Sequence, residues 1–231
     1  DLYVMFVTSS GGIRRNNLSD FSRINKNGKI AMKLNENDEL VSVIPCGEKD
    51  NILLATRLGK AIRFDVHDVR VFVGRGSSGV RGIKLKPNDF VVSMSLIPNE
   101  EKRFVLSVTE NGFGKRTPIE EYRKTNRGGQ GVANIECSAR NGPVVASYVA
   151  SEDDQIMLVT NSGKLIRIRV HGGEGDSIRI AGRKTQGVTL FDVDNNEKVV
   201  SVALLNESDD EDEGEDQDTT ENNNAKTNND G

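Results

Sequence analysis

The sequence predicts an all-β chain built as a radial array of units about 50 residues long, as in propeller blades. Three observations carry this. One hairpin pattern recurs four times, a glycine-led element recurs between the hairpins with the same period, and the runs in both alternate apolar with polar residues.

The hairpin is plainest at Ile156-Met-Leu-Val-Thr-Asn-Ser-Gly-Lys-Leu-Ile-Arg-Ile-Arg-Val170. Asn161-Ser162-Gly163 is the turn, because Asn and Gly tolerate positive φ. Ile166, Ile168 and Val170 then face one way, and Leu165, Arg167 and Arg169 the other. Earlier copies run from Val4 through Gly11 to Arg15, from Ile52 through Gly59 to Phe64, and from Val105 through Gly112 to Thr117. Thr8, Thr56, Thr109 and Thr160 mark the four copies, at spacings of 48, 53 and 51. The second element starts at Gly28, Gly79, Gly131 and Gly187, at spacings of 51, 52 and 56. An apolar residue follows four positions on (Met32, Ile83, Ile135, Phe191). Then comes a β-rich run: Leu40–Ile44, Phe90–Ile97, Val144–Val149 or Val199–Leu205.

The chain divides into repeats 1–48, 49–100, 101–151 and 152–206, one domain over 1–206, with an acidic tail over 207–231. In the first repeat Asp20–Arg23 reads as a short helical turn or corner, Lys29–Leu34 as a strand, and Pro45 as the end of the next strand. In the second, Gly74-Arg-Gly-Ser-Ser-Gly79 matches G-x-G-x-x-G. The alternating Val80–Leu85 after it reads as a strand, not as the helix that a dinucleotide site needs. In the third, Pro118–Tyr122 reads as a helical turn, and Arg123 to Gly131 as a basic glycine-rich loop. That loop is either a corner between blades or a phosphate contact. Gly182 to Gly187 is its counterpart in the fourth repeat. From Glu207 the apolar content ends, which predicts disorder.

Net charge is −4, but it is divided unevenly. Residues 207–231 hold 11 acidic groups and one basic, and residues 1–206 hold 30 basic against 24 acidic. A basic body with an acidic tail suits a nucleic-acid binder, although such tails also serve solubility alone. The tail could compete with DNA for the basic surface. Cys46 and Cys137 offer no CxxC and no disulfide framework, which fits a reducing compartment. There is no signal peptide and no apolar run of 18 residues, so no membrane role is expected. The chain opens inside a strand without an initiator Met and reads as a piece of a longer protein.

No catalytic constellation emerges. His67 and His171 lack metal-ligand spacing, and Tyr3, Tyr122 and Tyr148 stand in no triad. What recurs is positive charge. Arg15, Arg63, Arg116 and Arg167 each lie seven residues after a marker threonine. Arg75, Arg127 and Arg183 lie in the glycine-rich loops, with Arg81, Lys84, Lys115, Arg123, Lys124, Arg169 and Lys184 nearby. These 14 residues form the candidate DNA-binding set, on the expectation that equivalent positions recur along one rim. Taken singly, each could be a solvated surface charge. A track of cations can follow a bent polyanion by releasing counterions. Bending a duplex through about 40–90° costs about 1–6 kcal/mol, so many modest contacts must share the work. Aromatic residues are only 5% of the chain, too few for stacking on single strands.

Asn111-Gly-Phe-Gly-Lys-Arg-Thr117, Gly79-Val-Arg-Gly-Ile-Lys-Leu85, Asp154-Gln-Ile-Met157 and Gly182-Arg-Lys-Thr-Gln-Gly-Val188 resemble the C-terminal domain of DNA gyrase A. The acidic tail is similar too. The resemblance spans about residues 2–206 and implies a β-pinwheel, a propeller-like ring of about six blades of which four are present. It implies a domain that wraps double-stranded DNA to serve negative supercoiling by an ATP-dependent type II topoisomerase. It also implies the rest of gyrase A, together with gyrase B, as partners in a heterotetramer, and a cytoplasmic, nucleoid-associated location. ATP and Mg belong elsewhere in that complex, and no cofactor is expected here. The catalytic tyrosine lies in the family's breakage-reunion region. The family's hallmark box, Gln-Arg-Arg-Gly-Gly-Lys-Gly, belongs to a first blade missing here. Thr125-Asn-Arg-Gly-Gly-Gln-Gly131 keeps its glycine spacing but departs at Thr125, Asn126 and Gln130. The equivalent C-terminal domain of topoisomerase IV is the near alternative, and a propeller that binds protein is a more distant one. A propeller enzyme ranks last.

Overall fold

The computed structural model describes residues 2–97, 103–173 and 177–205; the expected acidic tail lies outside them. Fifteen strands follow in order: β1 (Tyr3–Thr8), β2 (Gly12–Asn17), β3 (Leu40–Cys46), β4 (Asn51–Thr56), β5 (Lys60–Asp65), β6 (Val80–Arg81), β7 (Val91–Ile97), β8 (Phe104–Thr109), β9 (Phe113–Pro118), β10 (Val132–Ala133), β11 (Val144–Ala150), β12 (Gln155–Thr160), β13 (Leu165–Arg169), β14 (Val188–Thr189) and β15 (Val199–Leu205). The described residues contain 3₁₀ turns at Leu18–Phe21, Val66–Asp68 and Ile119–Glu121 but no α-helix. Among the described residues no helix is long and apolar enough to cross a membrane.

Four antiparallel sheets result, in the orders β3-β1-β2-β6, β10-β5-β4-β7, β11-β8-β9-β14 and β13-β12-β15. They make a four-bladed propeller-type array. Each of the first three sheets takes one strand from the following repeat: β6 pairs with β2, β10 with β5 and β14 with β9. The hairpins keep one register, so Met5 faces Arg15, Leu53 faces Arg63, Leu106 faces Arg116 and Met157 faces Arg167.

The strand exchange explains the glycines. Gly59 and Gly112 have φ of +79° and +75°. A Cβ on either would stand 2.1 Å from a carbonyl oxygen of the incoming segment, that of Ile135 or Phe191. Only glycine allows both the turn and that approach.

Apolar layers lie between successive blades. Met5, Ile13, Ile52, Leu54 and Phe64 cluster between the first two, and Leu53, Ile97, Val105 and Tyr122 between the second and third. Leu106, Val108, Ile156 and Leu158 join the third to the fourth. The central strand β4 is therefore buried along its whole length. At the inner edge, the N–H of Val91, Val144 and Val199 donates to the carbonyl of Ser9, Arg57 and Glu110, at 2.9, 2.8 and 2.8 Å. A cavity of about 480 Å³ lies there, lined from all four sheets by residues that include Val41, Phe90, Val145 and Val200.

Three local expectations are corrected. Lys29–Leu34 is not a strand. Its counterparts pair with the preceding repeat's outer strand, and among the described residues no such strand lies beside it. Only Val80–Arg81 of the expected strand Val80–Leu85 is in a ladder. Pro45 lies inside β3, paired with Val4, because β3 is an edge strand where a missing N–H costs no ladder bond.

Candidate nucleic-acid interface

The four arginines of the repeating position do not share one environment. Arg15 is 4% exposed; it pairs with Glu48 at 2.6 Å and lies over the Tyr3 ring at 4.5 Å. Arg116 is also 4% exposed, and its Nε donates to the carbonyl of Ile178 at 2.6 Å. Arg63 is half-buried, with Nε donating to Asn51 Oδ1 at 3.2 Å. Arg167 is exposed and its Nε donates to Gln155 Oε1 at 2.7 Å.

The cause is the following repeat. Val71, Lys124 and Ile180 form parallel bridges with Arg15, Arg63 and Arg116, laying the next segment alongside each. Arg167, in the fourth repeat, has no such bridging segment beside it among the described residues. The expectation of four rim cations is therefore corrected: Arg15 and Arg116 are interior groups. Lys115 is corrected as well. It is fully buried and donates to the carbonyl of Gly182 at 2.5 Å and to Thr185 Oγ1 at 3.2 Å. Burial pushes its ammonium pKa down to about 8.

Sequence reasoning missed Arg14, which has the same role two blades earlier. It is fully buried, donates to the carbonyls of Gly74 and Ser77, and its Nε reaches Asn16 Oδ1 at 2.7 Å. Arg14 and Lys115 thus pin the glycine-rich loop of the next repeat onto the outer edge of their own blade. In the blade between them the position is Ile62, and Gly129 approaches its side chain instead.

The loop arginines are half-buried and also bonded to backbone. Arg75, Arg127 and Arg183 donate from Nη1 to the carbonyls of Ile30, Arg81 and Ala133, at 2.5, 3.0 and 3.0 Å. Arg81, Lys84, Arg123, Lys124, Arg169 and Lys184 are exposed, with Lys124 paired to Asp65 at 3.0 Å.

A repeating exposed cation does exist, one position before each bridging residue. Arg70 precedes Val71, Arg123 precedes Lys124, and Arg179 precedes Ile180; all three are exposed. Arg70 lies over the Phe72 ring at 3.8 Å. The three occupy equivalent places on the outer edges of the first three blades. No constant offset leads to them along the chain, since they lie 55, 60 and 63 residues after Arg15, Arg63 and Arg116. No group of three or more potential metal ligands occurs among the described residues.

A family model described as "DNA gyrase C-terminal domain, beta-propeller" matches residues 2–47, 50–98, 103–142 and 154–206. The DNA gyrase A protein of Rickettsia bellii (strain RML369-C) is 41% identical, across 92% of this chain and 28% of its own length. The chain thus spans under a third of that relative. Among solved structures, the C-terminal domain of DNA topoisomerase IV has a TM-score of 0.81 at 28% identity, covering 89% of this chain and 62% of that one. The DNA gyrase A C-terminal domain has a TM-score of 0.77 at 32% identity, covering 89% and 66%.

Proposed function

Because the chain belongs to the C-terminal β-propeller family of DNA gyrase A, a type II topoisomerase component, we propose that it binds duplex DNA along its outer edge and bends it. The observation that carries this reading is the series Arg70, Arg123, Arg179. Three guanidinium groups recur at one structural position on successive blades, and none makes an ion pair among the described residues. Arg81, Lys84, Lys124, Arg167, Arg169 and Lys184 add exposed charge. Arg63 and Arg75 are half-buried and can add contacts from donors not already committed, whereas Arg127 and Arg183 spend theirs on the backbone carbonyls they hold. Arg15, Lys115 and Arg116 are left out, because their charge is spent inside the fold.

Such a surface reads backbone charge, not bases. Among the described residues no exposed aromatic platform or groove-entering helix accompanies the arginines, the Phe72 ring under Arg70 being buried, so recognition is indifferent to sequence. Curvature comes from the order of the blades. A duplex that touches each outer edge in turn must bend, and several contacts offset the bending cost. In this reading the domain serves the supercoiling reaction of a cytoplasmic gyrase complex, with the rest of gyrase A and with gyrase B as partners.

The test is a salt series of duplex binding. The observed affinity should fall with log salt at a slope of about −0.9 per neutralised phosphate. Replacing Arg70, Arg123 and Arg179 with Ala should lower the affinity and flatten the slope. Binding that ignores salt, or a triple variant with an unchanged slope, refutes the reading.

A further inference from the structure

We propose that Arg127 and Arg183 are positioning residues: tie-bars that fix the angle between successive blades, and so the path along which a duplex is bent. The second half of that statement rests on the DNA-bending reading above; the first does not.

The register carries the argument. Arg75, Arg127 and Arg183 lie four residues before Gly79, Gly131 and Gly187. Their acceptors, the carbonyls of Ile30, Arg81 and Ala133, lie two residues after Gly28, Gly79 and Gly131. The loops of the third and fourth repeats therefore reach back one repeat and grip the segment that the previous repeat gave away. Arg127 makes the clearest case. Its Nε donates to the carbonyl of Asp68 at 2.8 Å while its Nη1 holds Arg81. Asp68 lies in the turn after β5, in the second blade's hairpin, and Arg81 lies in β6, on the first blade's sheet. One guanidinium therefore spans two blades. A backbone bond in the same register runs beside each tie. Lys84 N–H donates to the carbonyl of Gly129 at 2.8 Å, and Glu136 N–H to that of Thr185 at 3.0 Å.

Adjacent blades are thus held at two places. The inner edge has the bond from Val91 to Ser9, or from Val144 to Arg57. The outer edge has Arg127 or Arg183. Two separated attachments fix an angle, whereas one alone acts as a hinge. The third and fourth blades have the inner bond, from Val199 to Glu110. The equivalent outer acceptor is the carbonyl of Thr189, and no glycine-rich loop of a following repeat is present among the described residues to reach it.

Lysine keeps the charge of arginine but cannot fork to two carbonyls from one planar group, as Arg127 does to those of Asp68 and Arg81. The experiment therefore compares the 231-residue chain with Arg127→Lys/Arg183→Lys and with Arg127→Ala/Arg183→Ala. The single lysine variants are carried in parallel, so that an unfolded double variant does not end the test. Small-angle scattering without DNA reads the arc. Salt-dependent binding of a short duplex counts phosphate contacts. The linking number of nicked plasmid sealed by a ligase with the chain bound reads the bent path. Both double variants should scatter with a larger maximum dimension and produce a smaller linking-number change, and the lysine pair should keep the wild-type salt slope. Unchanged scattering overturns the proposal. So does a slope that drops by about 0.9 per arginine in the alanine pair and returns in the lysine pair, since that is the signature of direct phosphate contact. If the wild-type chain proves not to bind DNA, the function above fails, and the scattering comparison still decides the ties.

Discussion

The Nε of Arg116 donates a 2.6 Å hydrogen bond to the carbonyl of Ile178, 62 residues further along the chain. Its guanidinium lies 5.0 Å from the centre of the Phe104 ring, and Nη1 approaches Glu152 at 3.5 Å. Arg167, at the same place in the next repeat, is exposed. Removing the first strips a buried carbonyl of its donor, which costs about 1–3 kcal/mol. Removing the second disturbs a surface contact worth about 0.5 kcal/mol or less. Arg116→Ala should therefore lower the urea midpoint clearly, and Arg167→Ala should barely move it. Equal losses would mean that the covering segment does not protect Arg116.

This contrast marks where the sequence was readable. The hairpins and their period were legible because local chemistry sets them: Gly11, Gly59, Gly112 and Gly163 all sit at positive φ, each three residues after a marker threonine. The burial of Arg15 and Arg116 was not legible, because the covering chain comes from the next repeat through connections of unequal length. For the same reason Arg70 and Arg179 escaped notice while Arg123, inside an evidently basic loop, did not. The strand expected at Lys29–Leu34 shows the reverse error. Its alternating pattern is the right one, but a ladder needs a partner, and pattern alone does not supply one.

Surface cations of the outer edge should separate from buried ones in a binding assay. Arg81 and Lys84 are exposed, and neither side chain forms an ion pair among the described residues. Arg81→Ala and Lys84→Ala should each flatten the salt dependence by about 0.9 per phosphate no longer neutralised, at unchanged melting temperature. A change in melting temperature with unchanged slope would reassign them to the fold.

Glu197 closes the last hairpin turn. Its Oε1 accepts from Thr160 Oγ1 at 2.7 Å and from Ser162 Oγ, and its Oε2 accepts from Lys164 Nζ at 2.8 Å. The bond from Lys164, then those from the two hydroxyls, hold its pKa down to about 2, against an ordinary 4.5. Because the folded state keeps the charge that the unfolded chain loses first, this stabilisation is full above pH 4.5. It drains away as pH falls towards 2. Glu197→Gln should flatten the stability profile across that interval, measured by denaturant titration at successive pH values. A profile as steep as that of the parent chain would deny the carboxylate this role.

Lys115 should act in the opposite range. An unfolded lysine titrates near 10.5, and burial brings this one to about 8. Between those values the unfolded chain holds a proton that the folded chain has released, so stability rises with pH from 8 to 10.5. Lys115→Met should remove that rise while weakening the hold on the loop carbonyl of Gly182. If parent and variant climb together, the ammonium does not titrate where its surroundings place it.

Strand exchange itself can be tested by one methyl group placed twice. Gly112 and Gly163 hold the same turn position, with φ of +75° and +85°. Alanine in this region costs about 1–2 kcal/mol at either site from backbone strain alone. At Gly163 the new Cβ would meet nothing within 4 Å. At Gly112 it would stand 2.1 Å from the carbonyl oxygen of Phe191, in the segment that the fourth repeat lends to the third blade. That clash adds about 1–3 kcal/mol, or else expels the incoming segment. Gly112→Ala should therefore be the more destabilising of the two. It should also speed amide exchange at Leu190 and Phe191, whose N–H groups donate to the carbonyl of Gly112 at 2.8 and 3.2 Å. Gly163→Ala should leave those amides as protected as before. Matching losses, with no selective exchange at Leu190 and Phe191, would show that the borrowed strand is not seated against this turn in solution.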